Sequence, residues 1–97
     1  MKTGPEIRVD SNGDKVWWLN DKCHREDGPA VEWADGSKAW YLNGERHRED
    51  GPAEEWDNGR KEWYLNGKKL FRLNSKKIQT KYPELYHSWV VYNVMNQ

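Results

Sequence analysis

Residues 38–60 read KAWYLNGERHREDGPAEEWDNGR, and residues 15–37 read KVWWLNDKCHREDGPAVEWADGS. The run HREDGPA stands at 24–30 and again at 47–53, an offset of 23 residues. A third copy opens at residues 61–69 with KEWYLNGKK and then breaks off. Self-similarity with a period of about 20–50 residues marks a chain in which one supersecondary unit stacks on the next. Here the unit reads as a β-hairpin. Its runs KVWWL, KAWYL and KEWYL are short, aromatic and bounded by turn dipeptides.

The turn chemistry places the strands. Asn12-Gly13, Asp35-Gly36 and Asn58-Gly59 separate aromatic-bearing runs, and Asn/Asp-Gly accepts the positive φ of a tight reversal. Asn43-Gly44 and Asn66-Gly67 end the next strand, with Asn20-Asp21 as the weaker first version. Asp-Gly-Pro at 27–29 and 50–52 forces a further kink, because Pro fixes φ and removes an N–H. Gly4-Pro5 aligns with Gly28-Pro29 and opens a partial copy. The predicted pairs are residues 6–9 with 16–19, 30–33 with 38–42, and 53–56 with 61–65, about three hairpins and six strands. Alternation puts Trp17, Trp40 and Trp63 on one face with Leu19, Leu42 and Leu65, and Trp18, Tyr41 and Tyr64 on the other. Both faces are aromatic, so a second layer is expected over at least one.

The tail supplies a candidate. Tyr82, Leu85, Tyr86, Trp89 and Val90 fall at helical spacing, with Pro83 and Glu84 suited to a first turn, while Val90-Val91 and Val94 leave a final strand as the competing reading. A helix over residues 80–95 would run ~24 Å, against ~29 Å for six strands, long enough to lie across the sheet. The third copy carries Leu70 and Leu73 where the others carry His and Asp, the atypical end a stack needs. The predicted class is α+β: a mainly antiparallel sheet of stacked 23-residue hairpin repeats with a C-terminal helix packed on or beside it. One domain spans 1–97: a partial repeat (1–14), repeats at 15–37 and 38–60, a degenerate capping repeat (61–75) and the helix (76–97).

Composition sets the remaining bounds. Charged residues make up 33% and apolar ones 35%, a balance that suits disorder until the seven tryptophans and five tyrosines are weighed. Each Trp buries ~150–250 Å², so a thin core is within reach. The single cysteine leaves no internal disulfide and suits a reducing compartment. No apolar run approaches ~18 residues and the start is polar, so a cytoplasmic protein is expected, with no membrane partner. Net charge is zero but polarised: residues 1–67 hold ten Lys/Arg against fifteen Asp/Glu, and residues 68–97 hold six against Glu84 alone.

The pattern W-Y-x-N-G-x-x-H-R-x-D-G-P-A-x-x-x-x-x-x-G resembles the variant MORN-type repeats of bacterial, bacteriophage and large-virus proteins. The resemblance covers residues 4–70, most strongly 15–67. It implies stacked β-hairpins in one curved sheet, often closed by a helix, serving as a scaffold or interaction surface. The chain departs from the better-known form, which has a Tyr/Glu-Gly-x-Trp core in place of the His-Arg-x-Asp-Gly-Pro run. The membrane-lipid role attached to that form is not carried over.

Chemistry-bearing residues are weighed against this architecture. His24/Asp27 and His47/Asp50 recur without a serine beside them, and a duplicated feature suits structure better than a single catalytic centre. Neighbouring hairpins lie ~10 Å apart, too far for both histidines to reach one zinc with ligands at ~2 Å. These residues are expected to tie down the DGP turn, bonding each other or the backbone. Cys23 aligns with Arg46 and Lys69, so the repeat does not require it, and an incidental thiol is expected. Glu26, Glu32, Glu49, Glu54, Glu55 and Glu62 contain no pair singled out for acid/base work, and a solvated acidic face is the simpler account. Such a face docks a basic partner or mimics nucleic-acid charge.

The expectation is therefore a non-enzymatic protein-binding module with no cofactor and no metal. Its partner-binding residues are Trp18, Tyr41, Tyr64, Glu32, Glu55 and Glu62, and a bacteriophage protein that intercepts a host or defence protein is its setting, in the host cytoplasm. The alternative is a nucleic-acid binder using Lys68, Lys69, Arg72, Lys76, Lys77 and Lys81. Those cations would otherwise lie over the acidic sheet of the same molecule. Edge strands, the first at residues 6–9, also offer homodimerisation.

Overall fold

A computed structural model describes residues 4–96; Met1, Lys2 and Thr3 of the partial repeat and Gln97 of the tail lie outside the described residues. The chain is α+β. Its strands are β1 (Glu6–Val9), β2 (Lys15–Leu19), β3 (Lys22–Cys23), β4 (Val31–Glu32), β5 (Lys38–Ala39), β6 (Tyr41–Leu42), β7 (Glu45–Arg46), β8 (Glu54–Glu55), β9 (Lys61–Leu65) and β10 (Lys68–Leu70). Helices α1 (Lys76–Lys81) and α2 (Pro83–Met95) follow.

All three predicted hairpins form. Ile7 pairs with Trp17, Val31 with Ala39, and Glu54 with Glu62, each in an antiparallel ladder. Three further hairpins form where the sequence predicts only strand ends: β2–β3, β6–β7 and β9–β10. Their two-residue turns are Asn20-Asp21, Asn43-Gly44 and Asn66-Gly67, with φ between 51° and 82° throughout. Two successive left-handed residues define the type I′ turn, whose twist matches that of the strands it joins.

Backbone bonds join the short pieces into one antiparallel meander. Trp17 donates its N–H to the Ala30 carbonyl (2.9 Å) and accepts from His24 N–H (2.9 Å). Trp40 does the same with Ala53 (2.8 Å) and His47 (3.0 Å). Thus β3 and β4 are halves of one interrupted strand, and so are β7 and β8. Residues 25–29 and 48–52 loop out between the halves as five-residue bulges. Side chains staple neighbouring copies at both ends of the hairpins. Asp14 Oδ1 accepts Ala34 N–H at 2.8 Å and Ser37 Oγ accepts Asp57 N–H at 3.0 Å. At the other end His24 and His47 accept from Asn43 and Asn66.

The tail is helical but broken. Ser75 Oγ accepts Ile78 N–H and starts α1, and Tyr82 (φ −129°, ψ 66°) separates the helices. The residue before a proline is pushed out of the helical region, so Pro83 ends one helix and begins the next. The expected cover across the whole sheet is corrected. The core is Trp63, Leu73 and Leu85, joined by Leu65, Leu70, Ile78, Tyr82, Tyr86, Trp89 and Tyr92. Trp63 Nε1–H donates to Ser88 Oγ at 2.8 Å, and its ring meets Tyr92 edge-on at 5.3 Å. The buried contacts of the helices therefore lie on the last copy. Leu70 and Leu73 give them an apolar seat there, and the polar bulges of the earlier copies do not.

Candidate functional site

Arginine does for the earlier copies what the helix does for the last. In each bulge the chain would expose an indole face, and the first bulge residue folds back over it. Arg25 lies over Trp17 with its guanidinium carbon 4.1 Å from the ring centroid, and Arg48 lies over Trp40 at 3.9 Å. Such stacking combines cation–π attraction with burial of the ring. The guanidinium also knots its own loop. Arg25 Nε–H donates to Asp27 (2.9 Å), and Nη1–H to the Pro29 carbonyl (3.1 Å) and Glu32 (3.3 Å). Arg48 repeats the set with Asp50 (2.8 Å), Pro52 (3.0 Å) and Glu55 (3.1 Å). The motif's glycine leaves room for this knot: a Cβ on Gly28 or Gly51 would stand 3.0 or 2.9 Å from the guanidinium carbon.

The histidines bond differently from the sequence reading. Neither pairs with the aspartate three residues on. The buried rings of His24 and His47 accept Asn43 and Asn66 N–H at Nδ1, 2.9 Å in both cases. That leaves the neutral ring's proton on Nε2, facing Glu26 (3.3 Å) and Glu49 (2.8 Å). Each histidine therefore ties its bulge to the next copy's type I′ turn rather than to its own DGP turn.

Between the two bulges and the α1–α2 junction lies a cleft of about 950 Å³. Trp40 and Leu42 line its floor, residues 24–28 and 47–50 two of its walls, and residues 81–84 the third. Glu26, Asp27, Glu49, Asp50 and Glu84 are exposed around it. Asp27 is held below the ordinary carboxylate value, first by its hydrogen bond from Arg25 and then by that residue's charge. A notch of about 330 Å³ lies one copy earlier, between Gly4, Pro5, Leu19 and the first bulge.

The opposite face carries half-buried Trp18, Tyr41 and Tyr64 with interleaved cations. Arg8 lies 5.6 Å from Trp18, and Arg46 reaches both Tyr41 (5.6 Å) and Tyr64 (5.3 Å). Glu54 and Glu62, directly opposed in the ladder, are buried here. Like charges so placed repel, and basic partners offset this: Arg46 pairs with Glu54, Lys69 with Glu62, and Arg60 with Glu62 at 2.6 Å. Burial pulls the Glu62 carboxyl up, but the hydrogen bonds from Lys69 and Arg60 hold it below its ordinary value. That is opposite to the raised carboxyl a general acid needs. Cys23 faces this side too, and burial pushes its thiol up to about 11.

The six candidate partner-binding residues thus divide. Trp18, Tyr41, Tyr64 and Glu62 share a face; Glu32 and Glu55 lie on the other, bound to Arg25 and Arg48. The basic stretch does not fold over the acidic sheet. Lys69 reaches Glu62 and Lys81 lies beside Tyr82, whereas Lys68, Arg72, Lys76 and Lys77 are exposed without an ion pair among the described residues. Sequence reasoning passes over Arg25 and Arg48, although each recurs with an acid two and seven residues later, the signal of a local guanidinium knot. Among the described residues no cluster of His, Cys, Asp and Glu is arranged to hold a metal, and no helix is long and apolar enough to cross a membrane.

No protein family, curated protein or solved structure matches the chain. Its likeness to MORN-type repeats rests on the repeat residues alone.

Proposed function

We propose that this protein is a non-enzymatic binding module that holds a basic segment of a partner protein in the cleft between its two arginine-locked bulges. One observation carries the reading: a concave site with a Trp40–Leu42 floor has an acidic rim whose positive neighbours are already engaged. Arg25 is shared by Asp27 and Glu32, and Arg48 by Asp50 and Glu55. Glu26, Glu49 and Glu84 then outnumber Lys81 at the opening. A lysine or arginine stem lies along Leu42 and the part of Trp40 that Arg48 leaves open, while its head meets the carboxylates. The resemblance to bacteriophage repeats supports a setting in which such a module occupies and inhibits a host or defence protein. The lone Cys23, held as a thiol, suits the cytoplasm.

The test is fluorescence anisotropy with labelled lysine-rich and glutamate-rich peptides of equal length. The lysine-rich peptide is expected to bind, weakly and with salt sensitivity, and Glu49→Lys with Glu26→Lys to abolish it. Equal binding of both peptides, or no effect of the charge reversals, counts against the cleft. Tyr41→Ala with Tyr64→Ala reports on the opposite face, where Tyr and Arg side chains of the kind that dominate interfaces stand uncovered.

A second reading is nucleic-acid binding at the C-terminal end of the stack. Phe71 is 77% exposed beside Lys69, next to the exposed Lys68, Arg72, Lys76 and Lys77. Cations with an exposed ring are what a single strand stacks on. A gel-shift titration across salt decides it. A steep salt dependence lost in Lys76→Glu with Lys77→Glu favours this reading over the first.

A further inference from the structure

The first strand carries its own complement. β1 is the edge of the sheet, bonded to β2 on one side, and its four residues are all exposed. Ile7 pairs with Trp17, and both backbone groups of Trp17 are engaged on the far side, by Ala30 and His24. The Ile7–Trp17 pair is therefore a non-hydrogen-bonded one, and the N–H and C=O of Ile7 point out of the sheet. By alternation those of Val9 do too. The side chains of Ile7 and Val9 stand 53% and 59% exposed on the Trp17 face.

We propose that two copies of this chain pair antiparallel through β1, centred on Ile7, to continue one sheet across both molecules. A two-fold axis through an antiparallel ladder must pass through a residue position if partners are to share a face. Centring on Arg8 sets two arginines against each other. Centring on Val9 draws in Ser11, which already belongs to the turn. Centring on Ile7 sets Glu6 against Arg8 of the second copy, twice, and Ile7 against Ile7. It also sets Val9 against Pro5. Ile7 N–H bonds the second Ile7 carbonyl in both directions, and Val9 N–H bonds the Pro5 carbonyl. Pro5 has no N–H to leave unmet in this register. The Glu6–Arg8 ion pair at 3.6 Å within each strand gains its counterpart across the axis.

Sedimentation equilibrium of the full chain, from micromolar to millimolar concentration, tests the pairing. A monomer–dimer equilibrium is expected. Glu6→Arg and Arg8→Glu should each weaken it by about tenfold or more, because like charges then face each other. Mixing the two single variants should restore a one-to-one heterodimer, since one strand then offers two guanidinium groups and the other two carboxylates at the facing positions. Ile7→Pro removes the outward N–H without touching a bond to β2 and should also give a monomer. A monomer throughout, or a dimer indifferent to both single variants, overturns the proposal. Circular dichroism of each variant separates lost pairing from lost folding.

Discussion

At the scale of the residue, two positions show how one atom decides a local structure. Gly51 has no positive φ to justify it; its constraint is the guanidinium of Arg48, which occupies the space a Cβ would need. Gly51→Ala should therefore displace Arg48 from Trp40. Because the guanidinium is the movable end of a long side chain, the cost in urea unfolding should be about 1 kcal/mol, the worth of the stack. Gly4, the aligned glycine of the partial copy, has nothing within 4 Å, so Gly4→Ala should stay within about 0.5 kcal/mol. Cys23 gives the second case. With burial pushing its thiol up to about 11, alkylation by iodoacetamide should be slow at neutral pH and accelerate only as pH approaches that value. Rapid neutral alkylation would mean a thiol more open than its contact with the Ala30 carbonyl allows.

At the scale of the element, the same strand register meets two kinds of cover. Bulges close over Trp17 and Trp40 with an arginine; in the third copy the aligned residues become Leu70, Phe71 and Leu73, and the chain leaves the sheet for a helix. Leu85, fully buried, is the peg of that helix, and Leu85→Ala should lower stability by about 2–5 kcal/mol in the same unfolding assay. His47→Ala removes the acceptor of Asn66 N–H and unlinks one bulge from the next turn. A loss of about 1–3 kcal/mol is expected, with amide exchange at Asn66 accelerating ahead of that at Ala39. Three of the six hairpins and the helical tail were legible because Asn/Asp-Gly dipeptides and helical spacing act within a few residues. The hairpins β2–β3, β6–β7 and β9–β10 were legible only as strand ends. The bulges were not legible. Trp17 bonds His24 and Ala30 at once, and no local preference announces that a strand resumes after five extruded residues.

At the scale of the molecule, charge governs how stability follows pH. Asp27, Asp35 and Glu62 all sit below their ordinary values when folded, Asp35 through its hydrogen bonds with Ser37. A depressed carboxyl stabilises the folded state fully above its unfolded pKa and loses that contribution as pH falls through the folded one. The melting temperature should thus hold from neutral pH down to about 5, then fall, with Glu62→Gln flattening part of the decline. At the alkaline end the sign reverses: Cys23 ionises from 9.0 upward only once unfolded, so stability should fall between that value and about 11. The candidate site was partly legible. The sequence marks its aromatics and acids but not their faces: Glu32 and Glu55 turn toward Arg25 and Arg48 while Glu54 and Glu62 turn away.

By itself the sequence determined the repeat, its turns, the alternation of its strands and the helical tail, because each follows from steric and hydrogen-bonding preferences within a few residues. Only the tertiary structure decided which aromatic rows are covered and by what. That choice is a competition over the same indole face between an arginine from the bulge and a leucine-lined seat for a helix. Its outcome depends on which groups the folded sheet brings within reach.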